Sequence, residues 1–241
     1  MSGGYAERTR GMLYGRRKGP KLSAHQQHLL ENLLPEFELH LNPGTDPRTY
    51  FSPRGAVGSR SNPCEGQIEG VWLEIGFGGG EHLVWQARHH PNVGLIGADP
   101  YVNGVVKVLS QLESGPLPNI CIYTSDARDI LEALPDASLG RVFILFPDPW
   151  PKTRHHKRRF MQMNMLDELA RVMKEGADLR FASDDAGYVE WTLERLMTHS
   201  AFAWTAMRAS DWNTRPADWP STRYEAKQLH GKPVFLHFVR H

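Results

Sequence analysis

From residue 70 onward, short apolar runs alternate with stretches in which apolar residues recur every three or four positions. The runs at 70–75, 93–98, 119–124, 141–146 and 178–183 read as strands. Helical spacing falls between them, near 81–90, 103–113, 128–134, 158–174 and 185–199. Regular strand–helix alternation predicts an α/β fold built on a doubly wound, mostly parallel sheet. The tail changes character. Phe202 to Met207 and Val234 to Val239 read as strands around a Trp- and Pro-rich segment, and an antiparallel pair at one sheet edge would fit them. Ahead of the alternation, a short helix is expected from Ala24 to Leu34, ending at Pro35. Residues 42–67, rich in Pro, Gly, Ser and Arg, read as a long surface loop. Three units follow: a basic arm over 1–23, a helix-and-loop extension over 24–69, and a main domain over 70–241.

Composition adds limits to this picture. Of 241 residues, 40% are apolar, enough for a substantial core. Lys and Arg number 28 against 27 Asp and Glu, so a nucleic-acid partner would be gripped by local basic patches. One such patch is the arm, where Arg8, Arg10, Arg16, Arg17, Lys18 and Lys21 face Glu7 alone. It reads either as a solvated tail or as an RNA-contacting arm. Cys64 and Cys121 are far apart and form no CxxC pair, so neither a zinc knuckle nor a disulfide scaffold is indicated. Cys121, inside an apolar run, reads as a small core residue. No stretch approaches the ~20 apolar residues that span a bilayer, and the N-terminus lacks a signal-peptide pattern. A cytoplasmic protein without a membrane partner is expected.

Ligands of open α/β sheets bind outside the carboxyl ends of the strands, where the strand order reverses. The first strand runs into Glu74-Ile75-Gly76-Phe77-Gly78-Gly79-Gly80. Gly76 and Gly78 let the backbone turn tightly and approach a ligand closely. The dinucleotide fingerprint needs a glycine where Glu81 stands, which disfavours a nicotinamide cofactor. An E-x-G-x-G-x-G turn resembles instead the S-adenosylmethionine loop of Rossmann-like methyltransferases, and Glu74 suits the cationic methionine end of that ligand. The second strand ends in Asp99, positioned to accept from both ribose hydroxyls. The third ends in Ser125-Asp126, where a carboxylate could accept from the adenine amino group. Any one of these acids could instead be a helix N-cap; three at successive strand ends after the glycine turn point to a cofactor site.

The fourth strand runs into Pro147-Asp148-Pro149-Trp150-Pro151-Lys152-Thr153-Arg154-His155-His156-Lys157-Arg158-Arg159. Three prolines fix the backbone and hold Asp148 at the strand tip. Trp150 either stacks on a base or braces the loop. Five Lys or Arg without an acid between Lys152 and Arg159 make a phosphate-binding footprint. The His pair has no Cys or acid at ligand spacing nearby, so no metal is expected. At these residues the chain resembles the bacterial tRNA (guanine-N(7)-)-methyltransferases, and Ser183-Asp184-Asp185 and Thr222-Arg223-Tyr224-Glu225 extend the likeness over roughly 70–241. It departs modestly: Asp99 stands where many members carry Glu, and SDD where others have TD.

The resemblance implies a Rossmann-like, S-adenosylmethionine-dependent enzyme that methylates N7 of a guanine in the tRNA variable loop (position 46 in tRNA numbering). By resemblance, Glu74, Asp99, Asp126 and Asp148 line the cofactor site, with Asp148 the catalytic residue. Lys152, Asp184, Thr222, Arg223, Tyr224 and Glu225 hold the substrate, while Arg154, His155, His156, Lys157, Arg158 and Arg159 contact the RNA. Oligomeric state, monomer or homodimer, is left open. Three rival readings fit less well. A small-molecule or protein methyltransferase leaves the basic block unexplained. A nucleotide-dependent oxidoreductase meets the failed glycine spacing, and a non-catalytic RNA-binding module is at odds with intact acids at all four strand ends.

Overall fold

A computed structural model describes residues 19–51, 68–227 and 231–241. Most of the basic arm, and Cys64, lie outside the described residues. Among the described residues, seven strands form one sheet: β1 Gly70–Ile75, β2 Val93–Ala98, β3 Ile120–Tyr123, β4 Leu139–Leu145, β5 Met173–Ser183, β6 Phe202–Trp204 and β7 Val234–Arg240. Their order is β3-β2-β1-β4-β5-β7-β6. The first five are parallel, and β7 runs antiparallel to both β5 and β6. The order reverses between β1 and β4, whose tips Ile75 and Ile144 are paired. A ligand crevice is expected at that point.

Nine α-helical segments accompany the strands among the described residues: α1 Ala24–His28, α2 Leu34–Phe37, α3 Glu81–His89, α4 Val102–Ser114, α5 Ala127–Ala133, α6 Met163–Val172, α7 Ala186–Thr198, α8 Ser210–Asn213 and α9 Arg223–Lys227. Successive strand residues point to opposite faces, which divides the core. Leu95, Ile120 and Ile122 pack with Leu83 and Val84 of α3 and Val105 to Leu112 of α4. On the other face Ile96, Val142, Ile144 and Phe181 pack with Ile130 of α5, Leu166 of α6 and Tyr188 of α7. The extension joins both layers. Leu29 and Phe37 enter the first, Leu39 and Phe51 the second, and the Leu39 amide donates to the Ile122 carbonyl. Cys121 is buried in the core.

Four boundaries differ from the periodicity by three residues or more; the strand expected from Phe202 to Met207 ends at Trp204. The first helix passes Pro35 and reaches Phe37, because the turn Leu29–Leu33 widens to a π-helix. Proline has no N–H to donate and its ring crowds the preceding turn, and a wider turn accommodates both. The helix expected over 158–174 is a 3₁₀ turn, Thr153–Arg158, an extended link, and then α6. β5 begins five residues early at Met173, with an irregularity opposite Leu139 and Arg141 and a left-handed Gly176. The exposed Lys174-Glu175-Gly176 stretch interrupts the strand's apolar pattern.

Candidate active site

Between β1 and α3 the backbone takes left-handed conformations at Gly76, Gly78 and Gly80 (φ +78°, +55° and +75°). A side chain at Gly76 would be strained, although its Cβ would meet no atom within 4 Å. The turn therefore leaves open space on its ligand side. At Gly80 a Cβ would run into Val108, so this glycine also lets α3 approach α4.

Asp99, at the tip of β2, braces that turn. One carboxylate oxygen accepts from the Gly78 amide (2.7 Å) and the other from the Tyr101 amide (2.8 Å). Burial pushes its carboxyl up to about 6, with the nearby charges of Glu74 and Asp148 adding to the rise; the two amides only moderate it. Asp126 caps α5, accepting from the Arg128 amide (3.0 Å) and pairing with the Arg128 guanidinium (3.0 Å). Glu74 is 2% exposed, and its Oε2 lies 2.7 Å from His82 Nδ1. The Glu74–His82 contact was not foreseen from sequence. Its only trace there is a histidine in the first turn of the helix after the glycine turn.

After β4 the chain enters the proline-rich loop with Phe146 and Trp150 both left-handed (φ +52° and +45°), one on each side of Asp148. Each such residue costs about 1–3 kcal/mol and persists only where its surroundings hold it. Arg159 supplies that restraint. It is 3% exposed, and its guanidinium donates to the carbonyls of Pro149 (2.8 Å) and Gly187 (3.2 Å). It also lies over the Tyr188 and Trp191 rings. Arg159, expected among the RNA contacts, turns inward and fastens the loop to α7. Asp148 keeps access to the cleft, yet burial of its surroundings raises its carboxyl above the usual range. Arg158, in contrast, lies over Trp150, 4.8 Å from the ring centroid, and borders the cleft. Trp150 thus braces the basic turn through Arg158 and His155 while lining the cavity.

One cleft of about 310 Å³ opens at the reversal point, within the range of small-molecule sites. It brings together Glu74, Gly76, Gly78, Asp99, Asp126, Asp148, Arg158 and Thr222 from the expected set. Lys152, Arg154, His155, His156 and Lys157 do not line it; they occupy the 3₁₀ turn at its edge and the residue just before it. Burial and the surrounding cations, Arg158 first, lower the His155 ring below its ordinary range. Asp184 follows β5, half-buried and outside the cleft lining. The Thr222 hydroxyl accepts from the Glu225 amide at the start of α9, where Arg223 approaches Glu81 (3.8 Å). Tyr224 lies within α9. Glu225 receives the Arg215 guanidinium at 3.3 Å. Among the described residues, no three His, Cys, Asp or Glu side chains group to hold a metal ion. None of the described helices is long and apolar enough to cross a membrane.

Comparison with known proteins identifies the family. A family profile described as "Putative methyltransferase" matches residues 69–236. The tRNA (guanine-N(7)-)-methyltransferase of Rhodospirillum rubrum is 50% identical over 94% of this chain and 87% of its own. That of Brucella abortus is 44% identical over 97% and 96%. A solved 16S rRNA (adenine(1408)-N(1))-methyltransferase from Catenulisporales acidiphilia shares the fold at 18% identity, with a TM-score of 0.50 over 72% of this chain and 89% of that one. With half its residues identical across nearly the whole length, the chain belongs to the tRNA (guanine-N(7)-)-methyltransferase family.

Proposed function

We propose that the cleft binds S-adenosylmethionine and that the protein transfers its methyl group to N7 of a guanine in the tRNA variable loop. The observation that carries the reading is the convergence of Glu74, Asp99, Asp126 and Asp148 on one cleft edged by a cationic turn. The residues fit that cofactor. Open space beside Gly76 admits a ligand against the backbone, and Asp99 and Asp126 keep unused lone pairs for hydroxyl and amino donors. Glu74 sets a carboxylate at the cleft floor for a cationic amino-acid end. When bound, the cofactor supplies an electrophilic methyl group on a sulfonium.

Guanine N7 carries an in-plane lone pair and no proton, so this chain needs no general base to create the nucleophile. Its residues contribute positioning and electrostatics. Positive charge develops on the purine as the reaction proceeds. Asp148, fixed between two left-handed residues at the cleft, stabilises that charge, with Asp184 beyond β5 in a supporting role. Thr222, Arg223, Tyr224 and Glu225 form the segment that receives the base, and Glu225 discriminates guanine by accepting from its N1–H and exocyclic amine. Lys152, Arg154, His155, His156, Lys157 and Arg158 meet the RNA backbone from the 3₁₀ turn and its flank. The basic arm joins them; its first described residues, Gly19 and Pro20, are hydrogen-bonded to Asn103 on α4.

The test is to incubate the protein with unmodified tRNA transcript and labelled S-adenosylmethionine, digest the RNA and identify the labelled nucleoside. 7-Methylguanosine mapping to the variable loop is expected. Label in another nucleoside would overturn the site assignment, and no label despite donor binding would overturn the substrate.

A further inference from the structure

At the cleft floor, Glu74 and His82 line the cavity and, with Gln86 behind them, form a row of three buried polar side chains. Glu74, His82 and Gln86 are 2%, 2% and 0% exposed. Glu74 Oε2 lies 2.7 Å from His82 Nδ1, His82 Nε2 lies 3.1 Å from Gln86 Nε2, and Gln86 Nε2 donates to the Asp218 carbonyl at 2.8 Å. Phe143 and Trp219 pack edge-on against the His82 ring, at 4.6 and 5.7 Å between centroids. Asp218 is itself fixed, its carboxylate receiving the Arg180 guanidinium. Four residues further on, Thr222 borders the cleft.

Donor bookkeeping along this row decides which histidine nitrogen carries the proton. A carbonyl only accepts, so the Gln86 atom facing Asp218 must be the amide nitrogen. That nitrogen only donates, so the His82 Nε2 that it also meets must offer a lone pair. The ring proton is then on Nδ1 and is aimed at the Glu74 carboxylate. Reversing the amide would set two oxygens against each other and leave His82 Nε2 without its donor, while the Glu74 carboxylate would still hold the proton on Nδ1.

We propose that His82 and Gln86 are positioning residues: anchored on the Asp218 carbonyl, Gln86 holds the His82 ring by donating to its Nε2, and His82 fixes the Glu74 carboxylate for the cofactor. The orientation of Glu74 thereby depends on the docking of the Asp218–Thr222 segment, which leads into the substrate-binding residues. The proposal rests on the reading of the cleft as an S-adenosylmethionine site. A direct His82–cofactor contact is not required.

The test has two readouts. Nitrogen-15 NMR of the histidine-labelled protein reports the His82 tautomer without any ligand, and calorimetry reports S-adenosylmethionine affinity. In the unsubstituted protein His82 is expected in the Nδ1–H form; finding it in the Nε2–H form overturns the proposal. Gln86→Met keeps the side-chain length and removes the donor. It is expected to keep the ring proton on Nδ1, facing Glu74, to shift the Nε2 resonance as its donor is lost, and to raise the cofactor Kd about three- to tenfold, the range of one misdirected hydrogen bond. His82→Asn, whose amide can still donate toward Glu74, is expected to retain more affinity than His82→Leu. Equal affinities in those two variants, or an unchanged Nε2 resonance and Kd in Gln86→Met, would refute the positioning role. If Gln86→Met fails to fold, the tautomer measurement and the His82 pair still decide. Absence of cofactor binding in the unsubstituted protein would instead remove the functional reading, while the tautomer result would stand on its own.

Discussion

Asp99 offers a test in which structure supplies the magnitude. Its carboxyl moves from an ordinary value of 3.8 to about 6 on folding, chiefly because it is buried. Below both values the group is protonated in folded and unfolded chains alike and makes no difference. Between them the folded chain holds a proton that the unfolded chain has released, so stability falls as pH rises from about 4 to about 6. Above that window the buried charge costs about 3 kcal/mol, from a displacement of roughly two units at 1.36 kcal/mol each. Between pH 5 and pH 7.5 the loss attributable to Asp99 is about 1.5 kcal/mol. Asp99→Asn removes the titration but sets an amide N–H₂ against either the Gly78 or the Tyr101 amide, a mismatch of about 1–3 kcal/mol. The variant is therefore expected to be close to the original protein in stability at pH 7.5 and about 1.5 kcal/mol less stable at pH 5, relative to that comparison. Urea unfolding of both proteins at the two pH values measures this, and the other carboxyls cancel in the difference. Cofactor affinity supplies an independent check. If the ionised carboxylate is what accepts the ribose hydroxyls, S-adenosylmethionine should bind about tenfold more weakly at pH 5 than at pH 7.5. Parallel pH profiles for the two proteins, with pH-independent cofactor binding, would refute the reasoning.

Arg158 and Arg159 are neighbours with opposite expected behaviour. Arg158→Met should leave stability within about 0.5 kcal/mol and lower the salt slope of tRNA binding by about one unit if it meets one phosphate. Arg159→Met should lower stability by about 2–3 kcal/mol, because the Pro149 and Gly187 carbonyls lose their donor. Chemical denaturation and filter binding over a salt series distinguish the two, and matching phenotypes would undo the division. Gly76→Ala should cost about 1–2 kcal/mol of stability from its left-handed backbone and weaken cofactor binding by crowding the turn, read by thermal unfolding and calorimetry. Glu225→Gln should lower kcat/KM on tRNA at least tenfold while leaving cofactor affinity unchanged; full activity would move guanine discrimination to another residue.

Much of the molecule is legible in the sequence because local rules govern it. Strand–helix alternation fixes the doubly wound sheet, a glycine turn needs glycines wherever it occurs, and acids at successive strand tips are brought together by parallel strands alone. That is why Glu74, Asp99, Asp126 and Asp148 could be read as one site before any contact was known. The basic run could not be resolved in the same way. Residues 152–159 look uniform as a string of charges. The inward turn of Arg159 is imposed by Tyr188 and Trp191, about 30 positions away, whose rings shelter the guanidinium. The same distance hid the role of His82. Its meaning comes from Gln86 and from a carbonyl 132 positions beyond that glutamine, and no local pattern announces a hydrogen bond to a backbone atom so remote. The sequence by itself determined the elements, their order and the chemical types at the strand tips, because each depends on near neighbours along the chain. Tertiary structure alone decided which charges face inward and which proton each buried group carries, because desolvation and hydrogen-bond partners exist only once distant segments pack.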